Sequence, residues 1–396
     1  MVFKVALIVP EGFSKTPEKY GGAIIRAWNV YRHFQTLISN ITLLTYEFNT
    51  SSALYFFSFF KNLVKVVRDA PSVIVSPWES VISMPQAILL GLFTKKPVII
   101  IVNTIPIFGE VGSGLSSDIG RRNKVIVLPK CYTETHLISR FLCYIKSILG
   151  YITFANIIYI SRIFNQLIQY IAITPHLANE LRKFKLEVID IYPGNGFPAR
   201  SINVKKKYTG CYVANPIHPE KGFIDALKIW RKVVIKYQNA VLVIAGRIYD
   251  FFPQDVVKQL VKNYGLEGNT IILVSTKGLP HDEIIKLLAQ CKVLIYPTRK
   301  DIWPLTIAEA LSVGTPVVTY RISNIEYAYG WCPAVRLVEP SNIVDAVNEI
   351  LKLLEQDETI NMLDAKKCAQ KLSWRRVALL EAKAILTAMK KYYKLS

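Results

Sequence analysis

The sequence predicts an α/β protein built from two doubly wound parallel sheets. Three observations carry this. Short apolar runs alternate with helical stretches along most of the chain. Its 396 residues suit two domains of ordinary size. Residues 191–208 replace periodicity with Pro, Gly, Asn and a lysine run, the composition of a linker. The expected parts are residues 1–195, residues 196–372, and a last helix in 373–396.

Composition narrows the class. The chain is 51% hydrophobic and 20% charged, so it buries sizeable cores and is not disordered. The cysteines at 131, 143, 211, 291, 332 and 368 form no Cys-x-x-Cys, which argues against structural zinc and for reduced thiols in a cytosolic compartment. A net charge of +20 favours anionic partners: phosphate-bearing substrates or an anionic membrane surface. No nucleic-acid-binding module is visible. The apolar runs Ser80–Thr94 and Ser147–Ser161 hold 15 uncharged residues each, short of the roughly 18–20 that cross a bilayer.

In the first domain, residues 3–9 read as a strand and not as a signal peptide. Gly21-Gly22 precedes a helix over 23–34, and paired glycines there permit close backbone approach to a ligand. Strands follow at 41–46, 72–76 and 97–102. The aromatic-rich run 53–67, with Lys61 and Lys65 on it, reads as a helix packed on the sheet with a solvated basic edge, or as one lying on a membrane. The first reading is favoured. Residues 110–117 form a Gly/Ser-rich loop, either a mobile acceptor loop or a connector. Residues 135–170 are long, apolar and mostly helical: buried packing or a membrane-facing insertion. A strand at 171–174 and a helix at 175–184 close the domain.

The second domain opens with a strand at 209–214. Asn215-Pro-Ile-His-Pro-Glu-Lys-Gly222 leads into a helix over 223–237, and Lys221 beside a helix N-terminus is a phosphate site. Strands at 240–245 and 270–274 and helices at 253–264 and 280–290 continue the alternation. His218 and His281 read as solvated or capping rather than catalytic. Val293–Tyr296 is a buried strand. After it, Pro304 suits a helix first turn, Leu305, Ile307, Ala308, Ala310 and Leu311 form an apolar face, and Gly314 stops the helix before the next strand. The amides of Leu305 and Thr306 then aim at the crevice above the sheet, ready for an anion. Asp301 in the loop and Glu309 on the helix flank that site, suiting a ligand with both phosphate and hydroxyl groups, such as a nucleotide sugar. A strand at 335–338, a helix at 341–354 capped by Ser341, and helices at 359–371 and from 373 to about 391 complete the chain.

The run Pro304-Leu-Thr-Ile-Ala-Glu-Ala-Leu-Ser-Val-Gly-Thr-Pro-Val-Val318, with Asp301 and Glu309 as its two acids, resembles the Glu-x7-Glu signature of retaining glycosyltransferases of the GT-B fold, family four. The resemblance is strong over 209–318 and weak over 50–170. It implies two Rossmann-like domains facing across a cleft, with the last helix crossing back to the first. Its Gly-Gly loop lies near the donor diphosphate and acceptor, which marks Gly21 and Gly22. Its Gly-Arg-x-x-x-Glu-Lys-Gly motif holds the diphosphate. Lys221 matches, but Asn215 falls on the motif's Gly and Pro216 on its Arg, leaving Arg247 or another nearby cation to compensate. The backbone around Leu279 meets the nucleobase. Asn103 stands where many members carry a His near the sugar, and it cannot exchange a proton near neutral pH.

The implied activity is transfer of a sugar from a nucleotide-diphospho-sugar to a hydroxyl acceptor (a glycan, a lipid-linked or a small molecule) with retained configuration. No other cofactor and no metal are expected. The catalytic candidates are Asp301, Lys221 and Asn103. The donor-binding candidates are Glu309, Leu305, Thr306, Pro304, Gly21, Gly22, Asn215, Arg247 and Leu279. The expected place is cytoplasmic, free or peripheral on the inner face of the membrane. The rival reading is an inactive relative that binds a nucleotide sugar or a partner. A phosphorylase is disfavoured because the two acids suit a nucleotide.

Overall fold

A computed structural model describes residues 4–10, 13, 22–38, 40–46, 52–79, 83–103, 155–197, 202, 204–249 and 252–394. The chain forms two compact units, Met1–Gly194 with Trp374–Ser396, and Asn195–Ser373. The expected loop at 110–117 and most of the 135–170 stretch lie outside the described residues, as does Gly21.

The first unit runs β1 (Lys4–Pro10), α1 (Gly22–Leu37), β2 (Asn40–Tyr46), α2 (Ser52–Asp69), β3 (Val73–Ser76), α3 (Ser83–Thr94), β4 (Val98–Val102), β5 (Ile168–Ala172), α4 (Pro175–Lys183) and β6 (Val188–Ile189). Its six-stranded sheet has the order β2-β1-β3-β4-β5-β6, with all pairs parallel. The central strands are apolar without alternation because helices cover both faces. Val98–Val102 is buried at every position.

The second unit runs β7 (Tyr208–Ala214), α5 (Phe223–Lys236), β8 (Leu242–Arg247), α6 (Gln254–Asn263), β9 (Thr270–Ser275), α7 (His281–Ala289), β10 (Cys291–Tyr296), α8 (Leu305–Ser312), β11 (Val317–Tyr320), α9 (Ser323–Tyr329), β12 (Val335–Val338), α10 (Ile343–Glu355) and α11 (Glu358–Gln370). Its parallel sheet is β12-β11-β10-β7-β8-β9. The last helix, α12 (Trp374–Tyr393), belongs to the first unit. There Arg26 of α1 and Glu381 of α12 form a buried ion pair at 2.6 Å, and Arg26 Nε also donates to Gly194 O at 3.0 Å.

Three expectations are corrected. The strand near 171 begins at Ile168, and Thr174 instead caps α4, its hydroxyl accepting from Leu177 N at 3.2 Å. A short apolar run does not reveal by periodicity whether it is strand or buried helix. Ser341 does not cap α10. It sits at φ 67°, and Asn342 Oδ1 accepts from Asp345 N at 3.1 Å. Not all thiols are free: Cys332 and Cys368 form a disulfide, their Cα atoms 5.7 Å apart, a pairing that spacing along the chain does not disclose. Cys211 and Cys291 are free and buried.

Candidate functional site

The strand order of the second sheet reverses between β7 and β10. From β7 the chain moves to β8 on one side, and from β10 to β11 on the other. Diverging connections leave a crevice above the carboxyl ends of these strands. Two loops border it, 215–222 and 297–304. Lys221 ends a 3-10 turn, Pro219–Lys221, capped by His218, whose Nδ1 accepts from Glu220 N at 3.3 Å. The next residue, Gly222, has φ 78°, and a Cβ there would lie 1.9 Å from Pro297 O. Only glycine lets the loops approach this closely. Arg299 N donates to Glu220 O at 3.0 Å, and Tyr212 OH to Lys221 O at 3.1 Å.

So fastened, the loops bring Lys221 and Asp301 together, with Nζ 2.6 Å from Oδ2. Asp301 Oδ2 also accepts from Tyr296 OH at 2.9 Å, and Oδ1 from Ile302 N at 3.0 Å. Burial, and then the charge of Asp301, hold the Tyr296 phenol well above its ordinary range, so it remains a donor at neutral pH. The loop has its own support. Arg299 Nη2 pairs with buried Asp225 at 2.5 Å, Asn324 Nδ2 donates to Asp301 O at 3.2 Å, and Tyr329 OH to Pro304 O at 2.8 Å.

Pro304 precedes α8, whose first turn closes with Ile307 N on Pro304 O at 3.2 Å. The Leu305 and Thr306 amides come before that bond, at the positive end of the helix. Glu309, one turn deeper and buried, meets His281 Nε2 through Oε1 at 2.9 Å. His281 is the first residue of α7 and is half exposed. The sequence reading of His281 as solvated or capping left out this contact, since a His at a helix start carries no mark of a partner on another helix. His281→Ala should weaken binding of a nucleotide ligand about fivefold, the scale of one hydrogen bond that orients the carboxylate. Isothermal titration with a nucleoside diphosphate measures this, and unchanged affinity would refute the positioning role.

The remaining second-unit candidates lie nearby without joining the pair. Arg247 ends β8, donates from Nε to Thr276 O at 3.0 Å and lies over the Tyr249 ring at 4.9 Å. Its carbonyl accepts from Ile217 N at 2.8 Å, which ties the loop after Asn215 to β8. Leu279 packs half-buried on the core.

In the first unit the reversal falls between β1 and β3. Gly22 opens α1. Asn103 follows β4, and its N and Nδ2 donate to Glu79 Oε2 at 2.7 and 3.3 Å. A carboxylate only accepts, so the amide nitrogen must face it. Asn103 Oδ1 is thereby turned away, buried and without a hydrogen-bond partner among the described residues. Glu79 was not anticipated. Beside it, Trp78 stacks on Phe13 at 6.1 Å, and Phe13 meets Trp28 and Tyr31 of α1 at 5.4 and 5.9 Å. Among the described residues, no three His, Cys, Asp or Glu side chains cluster as a metal site would require.

Two six-stranded doubly wound sheets with these crevices define the GT-B class of fold. Residues 198–370, nearly all of the second unit, match the family described as glycosyl transferases group 1. The likeness to glycosyltransferases read in the sequence is thus met over the second unit. The chain is similar to O-antigen chain mannosyltransferase B of Escherichia coli, 26% identical over 186 residues, 45% of this chain and 47% of that one. It is similar to trehalose synthase of Pyrococcus horikoshii, 24% identical over 150 residues, 37% and 36% of the two chains. It thus spans less than half the length of these two relatives. Among solved structures it resembles Anabaena HepE in complex with UDP, with TM-score 0.63 and 14% identity, covering 97% of this chain and all of that one. It also resembles sucrose-phosphate synthase from Thermosynechococcus elongatus, with TM-score 0.65, 12% identity and coverage of 97% and 98%.

Proposed function

We propose that this protein is a retaining glycosyltransferase moving a sugar from a nucleotide-diphospho-sugar to a hydroxyl acceptor. The observation that carries the reading is the Lys221–Asp301 pair at 2.6 Å, at the reversal of the second sheet and beside the α8 N-terminus. Glu309, backed by His281, accepts the ribose hydroxyls. A similar fold holding UDP in HepE supports a nucleotide there, and the mannosyltransferase relative supports a sugar as the transferred group.

In this reading the pair exchanges partners when the donor enters. Lys221 turns to the diphosphate, and Asp301, still held by Tyr296 and Ile302 N, receives sugar hydroxyls. Departure of the diphosphate dominates the barrier. Lys221 and the Leu305 and Thr306 amides stabilise its growing charge, so the cationic role is met without assigning a metal. The leaving phosphate takes the acceptor proton, on the face from which it departs. That route needs no protein base, and Asn103 then serves by hydrogen bonding alone. The acceptor is a hydroxyl compound, free or lipid-linked.

The second reading, an inactive nucleotide-sugar-binding relative, is favoured by Pro216 and Asn103 standing where the family carries an Arg and a His. Purified protein with a panel of nucleotide-diphospho-sugars and a mixed hydroxyl acceptor pool separates the two. Transfer is expected, with the product anomer read by proton NMR matching the donor. Binding without product across all donors would establish the second reading, and an inverted product would overturn retention.

A further inference from the structure

The first unit carries an apolar face that its own fold leaves uncovered. On α2, Phe59, Asn62 and Val66 are buried. The opposite stripe holds Phe60, Val64 and Val67, exposed by 57%, 66% and 68%. These recur at i, i+4 and i+7, so they share one side of the helix. Neighbouring α3 exposes Leu89 and Phe93, the latter by 68%. Buried Phe59 joins the stripes, its ring 5.7 Å from Phe60 and 6.0 Å from Phe93. At the C-terminal ends of the two helices lies a groove of about 430 Å³ between Val67 and Phe93, with Lys96 at its edge.

Apart from Asp69, the charge around this face is positive. Lys61, Lys65 and Arg68 lie on α2, and Lys95-Lys96 follows α3 directly. The one acid on the two helices, Asp69, is already paired with Arg68 at 2.7 Å. A protein partner or a second copy of the chain would have to match an apolar stripe bordered mainly by cations. A sheet of anionic headgroups over acyl chains matches both at once. Among the described residues no helix is long and apolar enough to cross a membrane, so the fit is to a helix lying on the surface. The helix first read as having a solvated basic edge has an apolar edge flanked by cations.

We propose that the α2–α3 face of the first unit docks on anionic phospholipid, with Phe60, Val64, Val67 and Phe93 entering the headgroup–acyl boundary and Lys61, Lys95 and Lys96 meeting headgroups. The proposal stands apart from the sugar-transfer reading, and each can fail alone.

The test is co-sedimentation of the full chain with phosphatidylcholine vesicles, with and without phosphatidylglycerol, at low and high salt. Two variants accompany it: Phe60→Ser with Phe93→Ser, and Lys61→Glu with Lys95→Glu. All four positions are exposed, so folding should survive, and circular dichroism melting checks that. Wild-type protein should bind only the phosphatidylglycerol vesicles and release as salt rises. Each double variant should lose at least about tenfold in partition, the scale of several buried methylene equivalents or of two reversed charges. Turnover of a soluble donor should not move. Absence of binding to anionic vesicles at low salt, or undiminished binding by the phenylalanine variant, would overturn the proposal. So would a wild-type dimer that Phe60→Ser with Phe93→Ser converts to monomer, which would assign the face to a second copy of the chain.

Discussion

Lys221→Ala is expected to lower turnover about 10²-fold, the cost of removing one charged donor from a leaving group that gains charge in the transition state. The side chain's partner, Asp301, keeps Tyr296 OH and Ile302 N, so the loop should hold and the melting temperature should change little. Because the diphosphate gains charge during departure, kcat and kcat/KM should fall together instead of KM rising alone. Glu309→Ala tests the other end of the ligand and should cost at least about tenfold in kcat/KM through weaker nucleotide binding. Steady-state kinetics with the preferred donor measures both. Near-wild-type rates in both variants would remove these residues from the reaction.

The second large effect concerns stability. Glu381→Ala should destabilise the first unit by about 3–5 kcal/mol, because it leaves the Arg26 guanidinium buried without its counter-charge. The two side chains are exposed by only 1% and 2%. Burial raises the Glu381 carboxyl above its ordinary value while Arg26 opposes that rise, so the site is costly to ionise and depends on its partner. For a unit of this size the loss corresponds to a fall in melting temperature of roughly 10 °C. Replacing both residues with leucine should recover much of it, since an apolar pair of similar volume avoids the desolvation cost. Calorimetry on the full chain reads both results. A single variant that melts with the wild type would show that the pair carries no net stabilisation.

Much of the second unit was legible in advance because its signals are local. Val335–Val338 was read to the residue, and the helix starting at Phe223 to within one position of its end, since a glycine opens it and the apolar spacing marks its extent. α9 was missed. Ser323–Tyr329 is a short helix without a repeated apolar stripe, yet it supplies the Asn324 and Tyr329 contacts that hold the 301–304 loop. Asp301 and Glu309 were found as candidates through a motif contained within one strand-loop-helix. His281 and Glu79 were not, because each gains its meaning from a side chain on another element.

By itself, the sequence determined the fold class, the alternation of strands and helices, and the candidates Lys221, Asp301 and Glu309. These follow from periodicity, turn chemistry and short motifs, which act over a few residues. Only the tertiary structure decided which groups meet. It set Lys221 against Asp301, His281 against Glu309, Glu79 against Asn103 and Arg26 against Glu381, and it turned Phe60, Val64 and Val67 outward. Such pairings depend on how parallel strands are ordered and which helix face is covered, and those are settled by long-range packing that no local pattern records.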